Sequence, residues 1–225
     1  MLTSRFVTGA LTAAAMLFAA SFSMTVAVSA GQTPSAAGAQ EIRLLASLNS
    51  CIQTRFQDID FKFGIRRVIK PGETPHRFEP ETVREISAVR DLEDAGLRVV
   101  LYLTGRQVLR DKPPLAGLSN QMAWELIKGP VLITPAPTAG GSTATGSAIA
   151  APPSMDLWDD SRLAIQSFGK VDSREFALAG WNFVARPVRA ESMCLNCHHE
   201  STAAGNTLKV GDPIGVVLYG YTATK

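Results

Sequence analysis

A short motif near the C-terminus, Cys194-Leu195-Asn196-Cys197-His198, places two thiols three positions apart and an imidazole directly after the second. This is the spacing of covalent haem attachment. Each cysteine can add across one vinyl group of a porphyrin. The residues between the cysteines are then held against the edge of the ring, and His198 comes to lie beneath the iron. The motif therefore predicts one covalently bound haem c, with His198 as the proximal iron ligand.

Two other chemistries use closely spaced cysteines and stay open. A redox dithiol opens a helix after a strand in a βαβ context, and no such unit surrounds this pair. A structural zinc site needs two further ligands. Only Cys51, His76 and His199 remain to supply them, and none forms a second close pair. The histidine that follows the second cysteine favours haem.

The N-terminus is typical of an exported protein. Residues 6–30 carry no charge and are rich in Ala, Leu, Phe and Val, and they end in Val28-Ser29-Ala30, a small-x-small cleavage pattern. We therefore expect residues 1–30 to be a signal peptide and the protein to be periplasmic. The alternative is an uncleaved membrane anchor, because a segment of this length can span a bilayer, although its Ala, Ser and Thr make the span weak. We expect membrane contact only in that case.

Cleavage leaves 195 of the 225 residues and lowers the net charge from +2 to +1, because the signal contains one Arg and no acidic residue. This length is enough for one domain with a hydrophobic core. A nearly neutral chain gives no indication of a nucleic-acid partner or an anionic membrane surface. We expect residues 31–39 to be a flexible lead-in and residues 40–225 to be a single domain.

Helical and strand patterns alternate along this domain and predict the α+β class, without a crossover unit or a glycine-rich phosphate loop. The first helix spans residues 40–57 and carries Cys51 on its apolar side. Residues 134–154 are of low complexity and are expected to form a mobile surface insertion. Further helices are predicted at 80–94, 119–127 and 155–169. Strands are predicted at 59–63, 97–103 and 214–221, and a strand-like segment with a turn at Gly180 is predicted at 176–189.

Three segments carry a resemblance to a known family. They are Phe183-Val184-Ala185-Arg186-Pro187, then Met193 to His198, then Gly211-Asp212-Pro213-Ile214-Gly215. Together they resemble the haem-c-binding PAS-like domain family, long catalogued only as a domain of unknown function. In that family a basic-Pro strand enters a Cys-Leu-x-Cys-His motif, and a Gly-Asp-x-x-Gly turn leads into the last strand. The resemblance extends over residues 181–219 and, more loosely, over Phe63 to Arg84.

The resemblance implies a PAS-like antiparallel sheet flanked by helices, and a cysteine on the N-terminal helix that reaches the iron. Cys51 lies on the matching helix and is therefore the expected sixth ligand. The chain departs from the family at His199, where the family usually has Gly, and at residues 134–154, which look like an insertion.

For Cys51 two other roles stay open: an inert buried thiol, and an intermolecular disulfide. A homodimer is likewise left open. Met193 and His199 adjoin the attachment site and can hardly reach the opposite face of the ring. The other sulfur or imidazole side chains considered as sixth ligands are His76, Met122 and Met155.

The expected function is one-electron Fe(III)/Fe(II) exchange by a periplasmic c-type monohaem protein, either an electron carrier or a redox sensor. A thiolate ligand would favour Fe(III) and give a low potential. The expected partner is a redox partner protein or a separate receptor. The alternative is a haem-based sensor that binds NO or CO after the sixth ligand leaves. We expect no enzymatic activity, since a peroxidase needs a distal acid–base pair and no pair stands out beyond His76.

Overall fold

An antiparallel sheet forms the centre of the protein. Its strands are β1 (Leu97–Gly105), β2 (Lys128–Leu132), β3 (Arg174–Leu178), β4 (Trp181–Arg189) and β5 (Pro213–Ala223). Their order across the sheet is β2-β1-β5-β4-β3, and all neighbouring pairs are antiparallel. The computed structural model describes residues 36–57, 64–69, 75–110, 126–134, 150–196 and 207–223.

Helices cover both faces of the sheet, which confirms the α+β class. Helices α1 (Ala36–Gln57) and α2 (Val83–Asp94) pack on one face, and α3 (Trp158–Ser167) packs on the other. In the described part of the chain, no helix is both long enough and apolar enough to cross a membrane. Short 3-10 helices are formed by Gly64–Arg67, Val108–Arg110, Ser154–Leu157 and Cys194–Asn196.

Two apolar layers form the core, because successive side chains of a strand point to opposite faces of a sheet. Leu101 of β1 joins Leu48 of α1 and Leu92 of α2 in the first layer. The predicted apolar side of α1 is thereby confirmed. The second layer lies under α3, and its large buried members are Tyr102, Leu157, Phe168, Trp181 and Phe183.

Two helices begin at positions other than those expected. Helix α1 begins at Ala36, so residues 36–39 are helical and are not part of a flexible lead-in. Alanine, the strongest helix former, accounts for the extension. Helix α2 begins after Thr82 rather than at Pro80. Thr82 Oγ1 accepts from the Glu85 N–H at 3.2 Å, and Glu85 Oε2 accepts from the Thr82 N–H at 2.9 Å. This capping box fixes the helix start.

The segment predicted as a mobile insertion, at about 134–154, has a buried residue at each of its ends. Thr134 is buried, and its Oγ1 accepts a hydrogen bond from the Val99 N–H at 2.9 Å. Ser154 is buried too, and its hydroxyl donates to the Gly129 carbonyl at 2.6 Å. The sheet therefore anchors both ends, since buried polar groups need hydrogen-bond partners.

Strand β2 is not anticipated from the sequence, because Gly129 and Pro130 indicate the end of a helix there. It is an edge strand of the sheet, and proline is tolerated at an edge because one side needs no hydrogen bonds.

The predicted strand at 176–189 is a hairpin of β3 and β4, which turns at Ala179 and Gly180. Four predicted segments lie wholly or mostly outside the described residues: 1–30, 59–63, 119–127 and the middle of the insertion.

A buried ion pair joins α1 to α2. Arg55 donates from Nε to Glu85 Oε1 at 2.5 Å and from Nη2 to Glu85 Oε2 at 2.7 Å. The same guanidinium donates to the carbonyl oxygens of Arg67 at 2.9 Å and Glu79 at 2.7 Å. It also lies 5.0 Å from the centroid of the Phe78 ring. These contacts fix the C-terminal end of α1, which borders the candidate site.

Candidate functional site

Cys194 begins a 3-10 turn shortly after the end of β4. Its N–H donates to the Glu191 carbonyl at 2.9 Å, and the Asn196 N–H donates to the Met193 carbonyl at 3.3 Å. Glu191 is held to α1, because Gln57 Nε2 donates to Glu191 Oε1 at 3.1 Å. The segment that leads into the cysteine motif is thus fixed by β4 on one side and by the end of α1 on the other.

The Gly211-Asp212 turn, which belongs to the resemblance, packs against this same segment. The Ala190 N–H donates to the Asp212 carbonyl, and the Gly211 N–H donates to the Ala190 carbonyl, both at 2.8 Å. Gly211 has a φ of 89°, a conformation that favours glycine. Asp212 Oδ2 accepts from the Lys209 N–H at 2.9 Å. The structure therefore places the Gly211-Asp212 turn against Ala190, which lies between the other two segments that carry the resemblance.

Arg189, the last residue of β4, reinforces that contact. Its Nη1 donates to the Gly211 carbonyl at 2.8 Å. Its Nη2 donates to Asp172 Oδ1 at 2.5 Å and to the Phe168 carbonyl at 3.3 Å. One guanidinium thereby links β4, the turn before β5 and the end of α3.

A cavity of about 540 Å³ lies beside Cys194. Its wall is built from the end of α1, the 3-10 helix at 64–67, and the neighbouring ends of β1, β2, β4 and β5. The volume is within the range of about 300–1,000 Å³ that is typical of cofactor pockets. The wall is mainly apolar, as such pockets are, and its apolar side chains are Phe56, Ile65, Leu103, Val108, Leu126, Val188, Met193 and Ile214.

A pair of glycines forms part of this wall. Gly105 at the end of β1 lies opposite Gly215 near the start of β5. A Cβ on Gly105 would meet no atom within 4 Å, whereas a Cβ on Gly215 would lie 2.9 Å from the Thr104 carbonyl oxygen. Gly215 therefore permits close approach of the strands, and the missing side chain of Gly105 leaves space at the cavity.

Charged side chains line the cavity at several points. They are the cations Arg67, Lys128 and Arg189 and the carboxylate Glu191. Arg189 is paired with Asp172, so Arg67 and Lys128 against Glu191 give the wall a net positive charge. Such a wall suits an apolar ligand that carries carboxylates, because opposite charges attract more strongly where water is partly excluded.

Cys51 lies on a different side of α1 from the residues that line the cavity. An α-helix turns about 100° per residue, so Gln53, Phe56 and Gln57 lie about 200°, 140° and 240° around the axis from Cys51. Those three residues line the cavity. Arg55, one turn after Cys51, reaches Glu85 of α2 instead. Cys51 is therefore on the α2 side of the helix.

The electrostatics of Cys51 agree with this placement. Burial raises the pKa of its thiol, and Glu85 of α2 raises it further. Arg84 of α2 and Arg55 act in the opposite direction, but they do not outweigh burial. A thiol with a raised pKa stays protonated at neutral pH, and only the thiolate ligates a metal well. Cys51 therefore lies among the charged groups of α2, and burial and Glu85 disfavour its thiolate form.

The other described candidate ligands lie in three different parts of the structure. Met193 lines the cavity next to Cys194. His76 lies beside β2, and its carbonyl accepts from the Leu132 N–H at 2.9 Å. Met155 packs against the layer under α3. Four candidates lie outside the described residues: Cys197, His198, His199 and Met122.

The described residues fit a covalently held haem at the Cys194 end of the cavity. They provide a thiol, a mainly apolar wall, and cations for carboxylates. Among these residues, no group of three or more His, Cys, Asp or Glu is placed to hold a metal ion. Because Cys197 and His198 are outside that set, the iron ligands stay a prediction.

Comparison of the chain with protein-family models, curated proteins and solved structures found no match.

Sequence reasoning missed most of the cavity wall. Lys128, Arg189 and Val188 carry no motif, and they come from segments far apart in the sequence. One signal was available: Gly105 and Gly215 stand at the end and near the start of apolar strands, where glycine often marks a close backbone approach or a ligand.

Proposed function

We propose that this protein is an exported c-type monohaem protein with a PAS-like fold that exchanges one electron with a redox partner protein or a separate receptor. The observation that carries the proposal is the position of Cys194, the first cysteine of the motif, in the wall of a mainly apolar cavity of about 540 Å³. The five-stranded antiparallel sheet with flanking helices is compatible with the PAS-like fold. Export is inferred from residues 1–30, and periplasmic location follows from it.

The protein's own residues would hold and shield the cofactor. Cys194 and Cys197 would form the thioethers, and His198 would be the proximal ligand. A bound haem c supplies one-electron Fe(III)/Fe(II) exchange. Phe56, Leu103 and Val188 exclude water from the cavity wall, and burial of this kind tunes a reduction potential.

A second candidate function, sensing of NO or CO, is favoured by one observation. Cys51 lies on the α2 side of α1 and not on the cavity side. Without a thiolate on the iron, a weak or absent sixth ligand would leave that position open to a gas. Ligation by Cys51, and the low potential that it implies, stay predictions.

Attachment is tested by expressing the full chain in a host that matures c-type cytochromes and measuring the mass of the denatured protein. The expected mass is that of the polypeptide plus one haem, and acidic acetone should not extract the pigment. Cys194→Ser and Cys197→Ser should each lose one thioether, and the double variant should carry no covalent haem. Cys51→Ser is the matched control, and it should keep full attachment. The bare polypeptide mass in the parent protein would overturn the proposal and return the zinc and dithiol alternatives.

The two functions are separated by adding CO to the reduced holoprotein. Rapid and complete change of the absorption spectrum would favour the gas sensor, whereas an unchanged spectrum would favour the electron carrier.

A further inference from the structure

We propose that Lys128 binds a propionate carboxylate of the attached haem and thereby fixes the orientation of the ring in the cavity. This inference rests on the proposed function, since it requires a haem bound through Cys194. It adds a residue that the cysteine motif does not contain.

Lys128 and the strand that leads to Cys194 are separated by two other strands of the sheet. Lys128 begins β2 and lies opposite Leu103 of β1, while Cys194 follows β4. The sheet order places β1 and β5 between β2 and β4. Three steps of about 4.8 Å between neighbouring strands separate β2 from β4 by about 14 Å. Lys128 and Cys194 therefore line opposite ends of one cavity.

The chemistry of the haem ring determines where its carboxylates lie once the vinyl edge is attached. The two vinyl groups of a haem lie on one edge of the macrocycle, and the two propionates lie on the opposite edge. Thioethers from the cysteine motif hold the vinyl edge at the Cys194 end. The carboxylates then point toward the other end of the cavity, where a buried carboxylate requires a cation or hydrogen-bond donors.

The titratable and charged groups that line the cavity are Arg67, Lys128, Arg189, Glu191 and Cys194. Arg189 and Glu191 belong to the Cys194 end. Arg189 binds Asp172 and the turn before β5, and Glu191 accepts a hydrogen bond from α1. Arg67 is held by the end of α1, the same helix end that holds Glu191, so Lys128 is the cation that comes from the opposite side of the wall.

Arg67 is placed by the end of α1. Its Nη1 donates to the Arg55 carbonyl at 3.2 Å and to the Phe56 carbonyl. These backbone contacts hold Arg67 at the end of α1, beside the segment that leads into the cysteine motif, so Lys128 is the residue to test.

The experiment measures the reduction potential of the haem-loaded full-length protein as a function of pH. A cation next to a carboxylate lowers its pKa by about 1–3 units. Lys128→Gln should therefore move the propionate-linked step of the titration upward by at least about one pH unit. Lys128→Arg keeps the charge and should keep the parent midpoint. Lys170→Gln removes an exposed cation outside the cavity wall and should also match the parent.

Three results would overturn the inference. One is a Lys128→Gln midpoint equal to that of the parent. Another is a Lys128→Arg protein that titrates like Lys128→Gln. The third is a propionate-linked step in Lys170→Gln that moves as far as the step in Lys128→Gln, because the shift would then not depend on the cavity wall. A parent protein without covalent haem would be a failure of the proposed function, and the mass measurement detects that separately. Should Lys128→Gln not fold, the resonance Raman propionate bands of the parent and Lys128→Arg decide: both must be those of a hydrogen-bonded carboxylate.

Discussion

Gly105 and Gly215 are paired across β1 and β5, yet only Gly105 has room for a side chain. A Cβ on Gly215 would lie 2.9 Å from the Thr104 carbonyl oxygen and close to Val188, while a Cβ on Gly105 would meet nothing within 4 Å. The two glycines therefore serve different purposes. One permits strand packing, and the other leaves open part of the cavity beside Cys194.

Gly105→Leu should block haem attachment without unfolding the protein. The new side chain would occupy cavity space, and no neighbouring atom has to move at its Cβ. We expect the ratio of covalent haem to protein to fall several-fold, measured by absorbance after denaturing purification. Gly169→Leu is the matched control, because Gly169 also has no atom within 4 Å of a Cβ and does not line the cavity. Full attachment in Gly105→Leu would show that the haem occupies another site.

Gly215→Ala should act on stability, because the close atom is a backbone oxygen that cannot move without shifting a strand. Overpacking of this kind costs about 1–3 kcal/mol. Urea denaturation of the haem-free parent and variant gives the difference in the free energy of unfolding. An unchanged free energy would mean that the β1–β5 contact is looser than the structure has it.

The Arg55–Glu85 pair should make a large contribution to stability once one partner is removed. Glu85 is 2% exposed, so Glu85→Ala removes a buried carboxylate from the partly buried Arg55 guanidinium and from the amides that cap α2, which together costs about 3–5 kcal/mol. Glu81→Gln is the control. Glu81 lies 3.8 Å from the same guanidinium but its side chain is 56% exposed, and surface pairs contribute at most about 1 kcal/mol. Equal losses in the two variants, measured by urea denaturation, would contradict this assignment.

The same pair predicts a pH dependence. Burial opposes ionisation of Glu85, but hydrogen bonds from Arg55 and from the Glu81 and Thr82 amides, with the charge of Arg55, lower its pKa below the ordinary value of 4.5. A carboxyl group with a lowered folded-state pKa contributes stability above its unfolded pKa and loses it as the pH falls through the folded value. The stability difference between the parent and Glu85→Gln should therefore be largest near neutral pH and narrow below about pH 4.5. A difference that stays constant down to pH 3 would exclude the linkage.

The elements that the sequence predicted well are those whose signal is local. Leu45, Leu48 and Ile52 recur at helical spacing, and they do form the buried side of α1. The strand at 97–103 is a continuous β-favouring run and is recovered in β1. Predictions failed where the partner is distant in sequence. Thr134 and Ser154 are anchored by the backbone of Val99 and Gly129, and composition alone cannot reveal such partners.

In the candidate site, too, the features with a local sequence signal were predictable and those built from distant segments were not. The cysteine motif is readable because its chemistry depends on a spacing of a few residues. The cavity wall combines Arg67, Lys128 and Arg189 from three segments, so it emerges only after the sheet is assembled. For Cys51, helical periodicity gives a buried position, and it is indeed 7% exposed. Periodicity does not say which neighbours cover that side. Here Cys51 interacts electrostatically with Arg84 and Glu85 of α2 and with Tyr219 of β5.

The position of Cys51 leads to a prediction that opposes the expectation from the resemblance. Because Cys51 is on the α2 side of α1, Cys51→Ala should keep the absorption and electron paramagnetic resonance spectra of the oxidised parent holoprotein. Cys194 and Cys197 would be consumed as thioethers, which leaves Cys51 as the free thiol of the three cysteines. Since burial raises its pKa and only the thiolate is nucleophilic, iodoacetamide should label it only after denaturation.

Labelling alone does not decide the question, because an iron-bound sulfur would be protected as well. The spectra do decide it. A low-spin thiolate signal in the parent that disappears in Cys51→Ala would place the sulfur on the iron, and α1 would have to turn about its axis to bring Cys51 into the cavity. A low-potential carrier would then follow from the electron-rich ligand. Unchanged spectra, together with CO binding to the reduced protein, would make the thiol a packing residue between two helices and favour the gas sensor.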